Sequence, residues 1–129
     1  MNRIATLREL RRELLTTCTP TPELAAAVGR HAQDDAFVRH FYTFVAHATY
    51  LRAALLLTRI AHHLSGEQRV AVLALGAGAA HSGGAYRLAA DLISALDIAA
   101  NRAGAEIPLM VRILKLDHRI RTALSGAAA

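Results

Sequence analysis

The sequence predicts an all-α fold, a compact bundle of five to six helices that forms a single domain over residues 1–129. Ala (28 residues) and Leu (19) dominate, whereas Val and Ile together number only 13. Ala and Leu lose little side-chain entropy in a helix, and the β-branched residues that favour strands are scarce. Apolar stripes at three- and four-residue steps strengthen the helical prediction. The hydrophobic share of 53% is enough for a buried core.

The first two helices are marked by their capping residues. A helix over residues 4–16 follows Asn2, which can cap it, and carries an apolar stripe. Thr21 can cap a second, short helix that begins at Pro22, where the missing amide proton costs nothing, and ends near Gln33. The first stripe consists of Ile4, Leu7, Leu10 and Leu14.

The third predicted helix is long, opens at Asp34 and Asp35, and reaches Leu64. Five of the six aromatic residues fall between Phe37 and Tyr50, which places this helix at the centre of the core. Its predicted buried seam repeats at steps of four and three and consists of Phe37, Phe41, Phe44, Ala48, Leu51 and Leu55.

Three further helices complete the predicted bundle. Ser65 and Gln68 have the spacing of a capping box for a helix over residues 67–80. A fifth helix over residues 85–103 stops at Gly104. A sixth contains Pro108 in its first turn and ends near Leu124. Its predicted core stripe consists of Leu109, Ile113, Leu116, Ile120 and Leu124.

The small-residue run at 76–80 is predicted to serve packing. A phosphate-binding glycine loop needs a strand before it and a helix after it, and the order of elements here does not provide them. Small residues at this density let two helices approach closely.

The charge pattern points to a polyanion. Fifteen basic residues face ten acidic ones, and all but Lys115 are Arg, whose planar fork pairs with phosphates. A GC-rich genome also enriches Arg through codon use. Between residues 36 and 66 there is no Asp or Glu, so this segment should present a surface of one sign. Nucleic acid is the leading candidate partner and an acidic protein face is the second.

The residues expected to bind nucleic acid lie on two predicted helices. Arg52 and Arg59 are seven residues apart and therefore share a face, and Tyr42 and Tyr50 could stack on bases. A charged face that only keeps the domain soluble is the alternative. The candidate set is Arg39, Arg52, Arg59, Arg112, Lys115 and Arg119.

No catalytic residues, metal or cofactor are predicted. The single cysteine, Cys18, rules out paired-cysteine zinc sites and disulfides, and it has no His or acid near it in sequence. His40 and His47 could face one way on a helix, but the Glu of a carboxylate-bridged metal site is missing there. Neither an export signal nor a membrane-spanning run is apparent, so we expect a cytoplasmic location and no membrane partner.

One segment suggests an alternative, catalytic function. Arg112 is followed six residues later by His118, a spacing that resembles the signature of the HEPN family of helical ribonucleases. The resemblance implies metal-independent RNA cleavage, in which Arg112 stabilises phosphate charge and His118 acts as general acid or base. A solvated basic stripe is the structural alternative.

A second resemblance favours a non-catalytic function. The segment Phe37-Val38-Arg39-His40-Phe41-Tyr42 is similar to an apolar-Arg-basic-aromatic-Tyr segment in the type III small helical subunit of class 1 CRISPR effector complexes. The C-terminal helix departs from the type III pattern, which leaves the type I and type IV versions open. The resemblance implies a protein present in several copies and packed beside larger subunits. Its basic face would steady a single strand or a guide–target duplex, with Arg39 as the matched residue.

Three hypotheses follow from the sequence. The first is a binding and assembly subunit of a ribonucleoprotein that contacts backbone phosphates. The second is the HEPN-like ribonuclease. The third is a protein–protein adaptor without nucleic acid, because an Arg-rich face serves an acidic protein equally well.

Overall fold

The protein is all-α, as the sequence predicts. The computed structural model describes residues 1–128, with side chains for residues 1–126, and this part of the chain forms seven α-helices and no strand. The helices are α1 (Arg3–Leu15), α2 (Pro22–His31), α3 (Asp35–His40), α4 (Tyr50–Ala61), α5 (Gly66–Ser82), α6 (Tyr86–Ala103) and α7 (Leu109–Ala128), with a π-helical turn (Phe41–Val45) after α3. In this part of the chain, no helix combines the length and apolar character needed to cross a bilayer.

Helix α5 runs through the centre of the bundle. All residues from 70 to 80 are buried, and α5 packs mainly against α4 on one side and α6 on the other. Both neighbours lie close to Gly76, since a Cβ built there would be 3.6 Å from Leu57 Cβ and 3.5 Å from Leu92 Cδ1, which are ordinary packing distances. The packing function predicted for the run at 76–80 is therefore confirmed.

Local capping signals in the sequence are mostly confirmed. Asn2 Oδ1 accepts a hydrogen bond from the Ala5 amide at 2.8 Å, and Thr21 Oγ1 accepts one from the Leu24 amide at 3.1 Å. Gly104 ends α6 in the left-handed conformation at φ +64°, which a glycine adopts at little cost. The capping box is different, since the Ser65 side chain makes no capping hydrogen bond.

The prediction of one long third helix is wrong. The chain instead forms α3, the π-helical turn, a break at which Ala48 has φ +68°, and then α4. A π-helical turn holds more residues than an α-helical turn, so the stripe shifts around the axis. Phe37 and Phe41 are buried as predicted, whereas the later seam residues are exposed: Phe44, Ala48, Leu51 and Leu55.

Tyr42 links the π-helical turn to α5. Its hydroxyl donates a hydrogen bond to the Leu75 carbonyl at 2.9 Å and occupies the space that a Cβ on Gly78 would need. Burial raises the pKa of Tyr42, so the hydroxyl keeps its proton and remains a donor. Tyr42 is therefore committed to the fold and is not free to stack on a base.

The core stripe predicted for the last helix faces solvent. The buried residues of α7 are Val111 and Leu114, while the predicted stripe is between 51% and 71% exposed: Leu109, Ile113, Leu116, Ile120 and Leu124. Pro108 precedes the helix, and its carbonyl accepts hydrogen bonds from the Val111 and Arg112 amides. Only one side of the first half of α7 packs on the bundle, so its amphipathic pattern does not mark the core.

The contact between Tyr42 and Gly78 gives a test of the packing. We expect Gly78→Ala to lower the free energy of unfolding by about 1–3 kcal/mol, because the new methyl group displaces the Tyr42 hydroxyl. Gly76→Ala, two residues away, meets only ordinary contacts and should change stability by less than about 1 kcal/mol in either direction. Urea denaturation measures both. Equal losses in the two variants would contradict this packing, and adding Tyr42→Phe to Gly78→Ala should recover part of the loss.

Candidate nucleic-acid interface

Arg52 and Arg59 share a face of α4, as predicted, but their guanidinium groups hold the chain between α1 and α2. Arg59 Nη1 donates to the Cys18 carbonyl at 2.6 Å. Arg52 Nη2 lies 3.2 Å from the Thr16 carbonyl oxygen and 3.3 Å from Cys18 Sγ. Cys18 itself has φ +53°, an unfavourable value for a residue with a side chain. These two arginines therefore stabilise a strained connection and have fewer donors left for phosphate.

The other four predicted residues differ in whether their charged groups are already paired with another side chain. Lys115 Nζ forms an ion pair with Asp97 Oδ1 at 2.7 Å. Arg39, Arg112 and Arg119 are exposed and have no hydrogen bond or ion pair to another side chain among the described residues. Arg39 lies at the end of α3, and the other two lie seven residues apart on α7. The predicted set is therefore distributed over several elements and does not form one cluster.

A basic cleft that the sequence analysis missed lies where α5 begins and α6 ends. It has a volume of about 620 Å³ and is lined by Ser65, Gly66, Arg69 and Arg102, with Ile98 and three alanines forming the apolar part of its wall. The short loop between α5 and α6 makes the two helices a hairpin, so the first turns of α5 lie beside the last turns of α6. This pairing brings Arg69 and Arg102 to one cleft.

The cleft has unused hydrogen-bond donors. The first-turn amides of a helix have no partner within the helix, and the Ser65 side chain does not cap them. Arg69 Nε is buried and has no hydrogen-bond partner. Neither Arg69 nor Arg102 forms an ion pair within residues 1–126, and none of the cleft-lining residues is acidic. Two guanidinium groups and the positive end of α5 together favour an oxyanion such as phosphate.

A second group of polar side chains fastens α7 to the bundle. His81 Nε2 and Arg121 Nε both bond to Asp117 Oδ2, at 2.8 and 2.7 Å, and the Arg121 guanidinium lies 4.2 Å from the centre of the Tyr86 ring. The hydrogen bond from His81, and then the one from Arg121, lower the pKa of Asp117, which keeps this carboxylate charged. The group therefore acts as an anchor between α5, α6 and α7.

The structure does not bring Arg112 and His118 together. Six residues along one helix put two side chains about 120° apart around its axis. His118 lines a small cavity with His81 and Asp117, and Arg112 is not among the residues that line it. The ribonuclease alternative stays a prediction, and the structure of one chain does not assemble Arg112 and His118 into a catalytic pair. Within residues 1–126, no group of three or more His, Cys, Asp or Glu side chains is placed to hold a metal ion.

Comparison of the chain with models of known protein families, with curated proteins and with solved structures gives no match in any of the three.

The structural function of Arg59 can be separated from phosphate binding. We expect Arg59→Ala to lower the free energy of unfolding by about 1–2 kcal/mol, because the Cys18 carbonyl loses a charged donor. Arg39→Ala is the matched control and should change stability by less than about 0.5 kcal/mol, since its side chain is exposed and unpaired. Chemical denaturation of the two variants measures the difference. Equal stability of the two variants would show that the contact with Cys18 is not important for the fold.

Proposed function

We propose that this protein is a non-catalytic subunit that binds the sugar–phosphate backbone of nucleic acid. The observation that carries the proposal is the convergence of Arg69 and Arg102 on the start of α5 in one open cleft. Guanidinium groups pair with phosphate oxygens in a two-point geometry, and the free amides of a helix start add further donors. These donors recognise phosphate and carry no base sequence information, so binding is sequence-independent.

The surroundings of the cleft suit a nucleic-acid strand. His62 and His63 are exposed in the loop that leads to Ser65, which lines the cleft. Ile98 is 57% exposed at the cleft and offers an apolar surface for a ribose or a base. Glu67, the nearest acid in sequence, lines a different cleft and is not among the residues that line this one.

The resemblance to the CRISPR small subunit is compatible with this function. It implies a partner strand or guide–target duplex held by larger subunits, and it adds Arg39 as a contact. Arg39, Arg112 and Arg119 are exposed and have no ion pair among the described residues, so they remain candidate contacts in addition to the cleft. The adaptor hypothesis differs in its ligand, since an acidic protein would replace nucleic acid at the same cleft.

Salt dependence distinguishes the cleft from other arginines. We expect Arg69→Gln/Arg102→Gln to weaken binding of labelled single-stranded RNA and DNA and to reduce the slope of log affinity against log salt by about 1.4, since each phosphate contact on a single strand contributes about 0.7. Fluorescence anisotropy over a salt series measures the slope.

A control of equal charge change is available on α1. Arg8→Gln/Arg11→Gln removes two exposed arginines that have no hydrogen bond or ion pair among the described side chains, and it should leave the slope within about 0.3 of the starting value. Equal slopes for the two double variants would mean that only net charge matters, and the cleft assignment would be wrong. No binding of either nucleic acid by the starting protein would favour the adaptor.

A further inference from the structure

A second cleft has the opposite charge, although the protein as a whole is basic. It has a volume of about 560 Å³ and lies between α3, the first half of α5 and the loop before α7. Its acids are Asp35, Glu67 and Glu106, three of the ten in the chain, and none of its lining residues is basic. None of the three acids forms an ion pair within residues 1–126. The apolar part of its wall includes Val38, Val70, Leu75 and Met110.

The far half of α7 is an arm that, beyond Arg121, packs against no other element in the part of the chain that the structure describes. All residues from 118 to 126 are exposed, and the last contact that fastens α7 to the bundle is the one between Arg121, Asp117 and Tyr86. One side of the helix is apolar, with Leu116 57%, Ile120 51% and Leu124 65% exposed. The same helix carries four basic residues and one acid, and no acid follows Asp117.

The arm and the acidic cleft are complementary in chemistry. The cleft offers apolar lining and unpaired carboxylates, while the arm offers exposed Leu and Ile side chains. Arg119 on the arm lies about 100° around the helix axis from the centre of the apolar stripe, so it can meet the acids at the edge of the cleft when the stripe is buried. A basic amphipathic helix and an acidic apolar cleft are thus both present on one chain.

The arm cannot fill the cleft of its own chain. Met110 lines the cleft, and Ile120 and Leu124 lie about 15 and 21 Å further along the same helix. Glu67, on the cleft, and His81, which anchors α7, lie at opposite ends of α5, about 21 Å apart. The arm therefore leaves the bundle at the end away from the cleft, an arrangement suited to joining successive copies.

We propose that the arm of one copy docks into the acidic cleft of the next copy, so that the protein assembles head to tail. Such an interface uses two different surfaces and leaves one free arm and one free cleft at the ends of the assembly. Pairing of two arms with each other is disfavoured, because no acid follows Asp117 and two paired arms would bring only basic charges together. This assembly goes beyond the proposed phosphate binding and uses a different cleft.

Two variants that disable one surface each provide the test. Ile120→Glu/Leu124→Glu changes only exposed residues of the arm, and Glu67→Lys/Glu106→Lys changes only exposed acids of the cleft. Ile4→Glu/Leu15→Glu is the matched control, since these α1 side chains are 64% and 70% exposed. Nuclease-treated protein is studied by sedimentation velocity over a concentration series, so that nucleic acid cannot bridge the copies.

We expect the starting protein and the α1 control to show a mass that rises with concentration above twice the 13.8 kDa of one chain. Each disabled variant alone should stay at the mass of one chain. An equimolar mixture of the two should give a dimer and nothing larger, because only one intact arm–cleft pair can form.

Three results would overturn the inference. A starting protein that stays monomeric at all concentrations would exclude assembly. If that monomer also floated with vesicles of mixed anionic and zwitterionic phospholipid, the arm would be a membrane-surface helix instead. A cleft variant that assembles normally would indicate pairing between arms. A mixture that stays monomeric would mean that the two surfaces do not meet. Arg69→Gln/Arg102→Gln should assemble normally, so failure of the phosphate-binding proposal is seen separately.

Discussion

The burial of α5 between α4 and α6 is the constraint on which the rest of the structure depends. A helix that is buried over eleven consecutive residues needs neighbours on every side, and small side chains at Gly76, Gly78 and the adjacent alanines let those neighbours come close. Tyr42 then reaches the α5 backbone through the space beside Gly78. The π-helical turn that carries Tyr42 occurs where this contact is made, so the geometry of α5 and the break in the third predicted helix belong to one arrangement.

The same constraint places the candidate surfaces at the two ends of α5. The start of the helix is open beside the end of α6, and there the amides without helix partners meet two arginines. The end of the helix holds α7 through His81 and Asp117, after which α7 leaves the bundle. The acids Asp35, Glu67 and Glu106 line one cleft and the arginines Arg69 and Arg102 line the other. The proposed phosphate site and the proposed docking site therefore use different side chains.

Features set by neighbouring residues could be predicted from the sequence, and features set by distant contacts could not. Asn2, Thr21 and Gly104 act within one turn of their own helix, so their caps were predictable. Tyr42 in the π-helical turn bonds to Leu75 of α5, which lies 33 residues away, and no local pattern in the sequence indicates this contact. The stripe on α7 is a real amphipathic pattern, but a pattern does not say whether the apolar side is covered.

The candidate site was harder to predict than the fold. Arg52 and Arg59 share a face as predicted, yet their guanidinium groups donate hydrogen bonds to carbonyl groups of the α1–α2 connection. Arg69 and Arg102 were missed because they lie on different helices, although a hairpin of two long helices joined by a short loop would have placed them at one level.

Hydrogen exchange, followed by mass spectrometry with and without single-stranded RNA, tests most directly where nucleic acid meets the molecule. The first-turn amides of α5 lack helix partners and should exchange fast in the free protein. We expect RNA to slow exchange at residues 62–69 and 98–104 and to leave residues 50–59 unchanged, since Arg52 and Arg59 already hold the α1–α2 connection. Protection over residues 50–59, with the start of α5 and the end of α6 unaffected, would contradict the assignment of the phosphate site to the Arg69–Arg102 cleft.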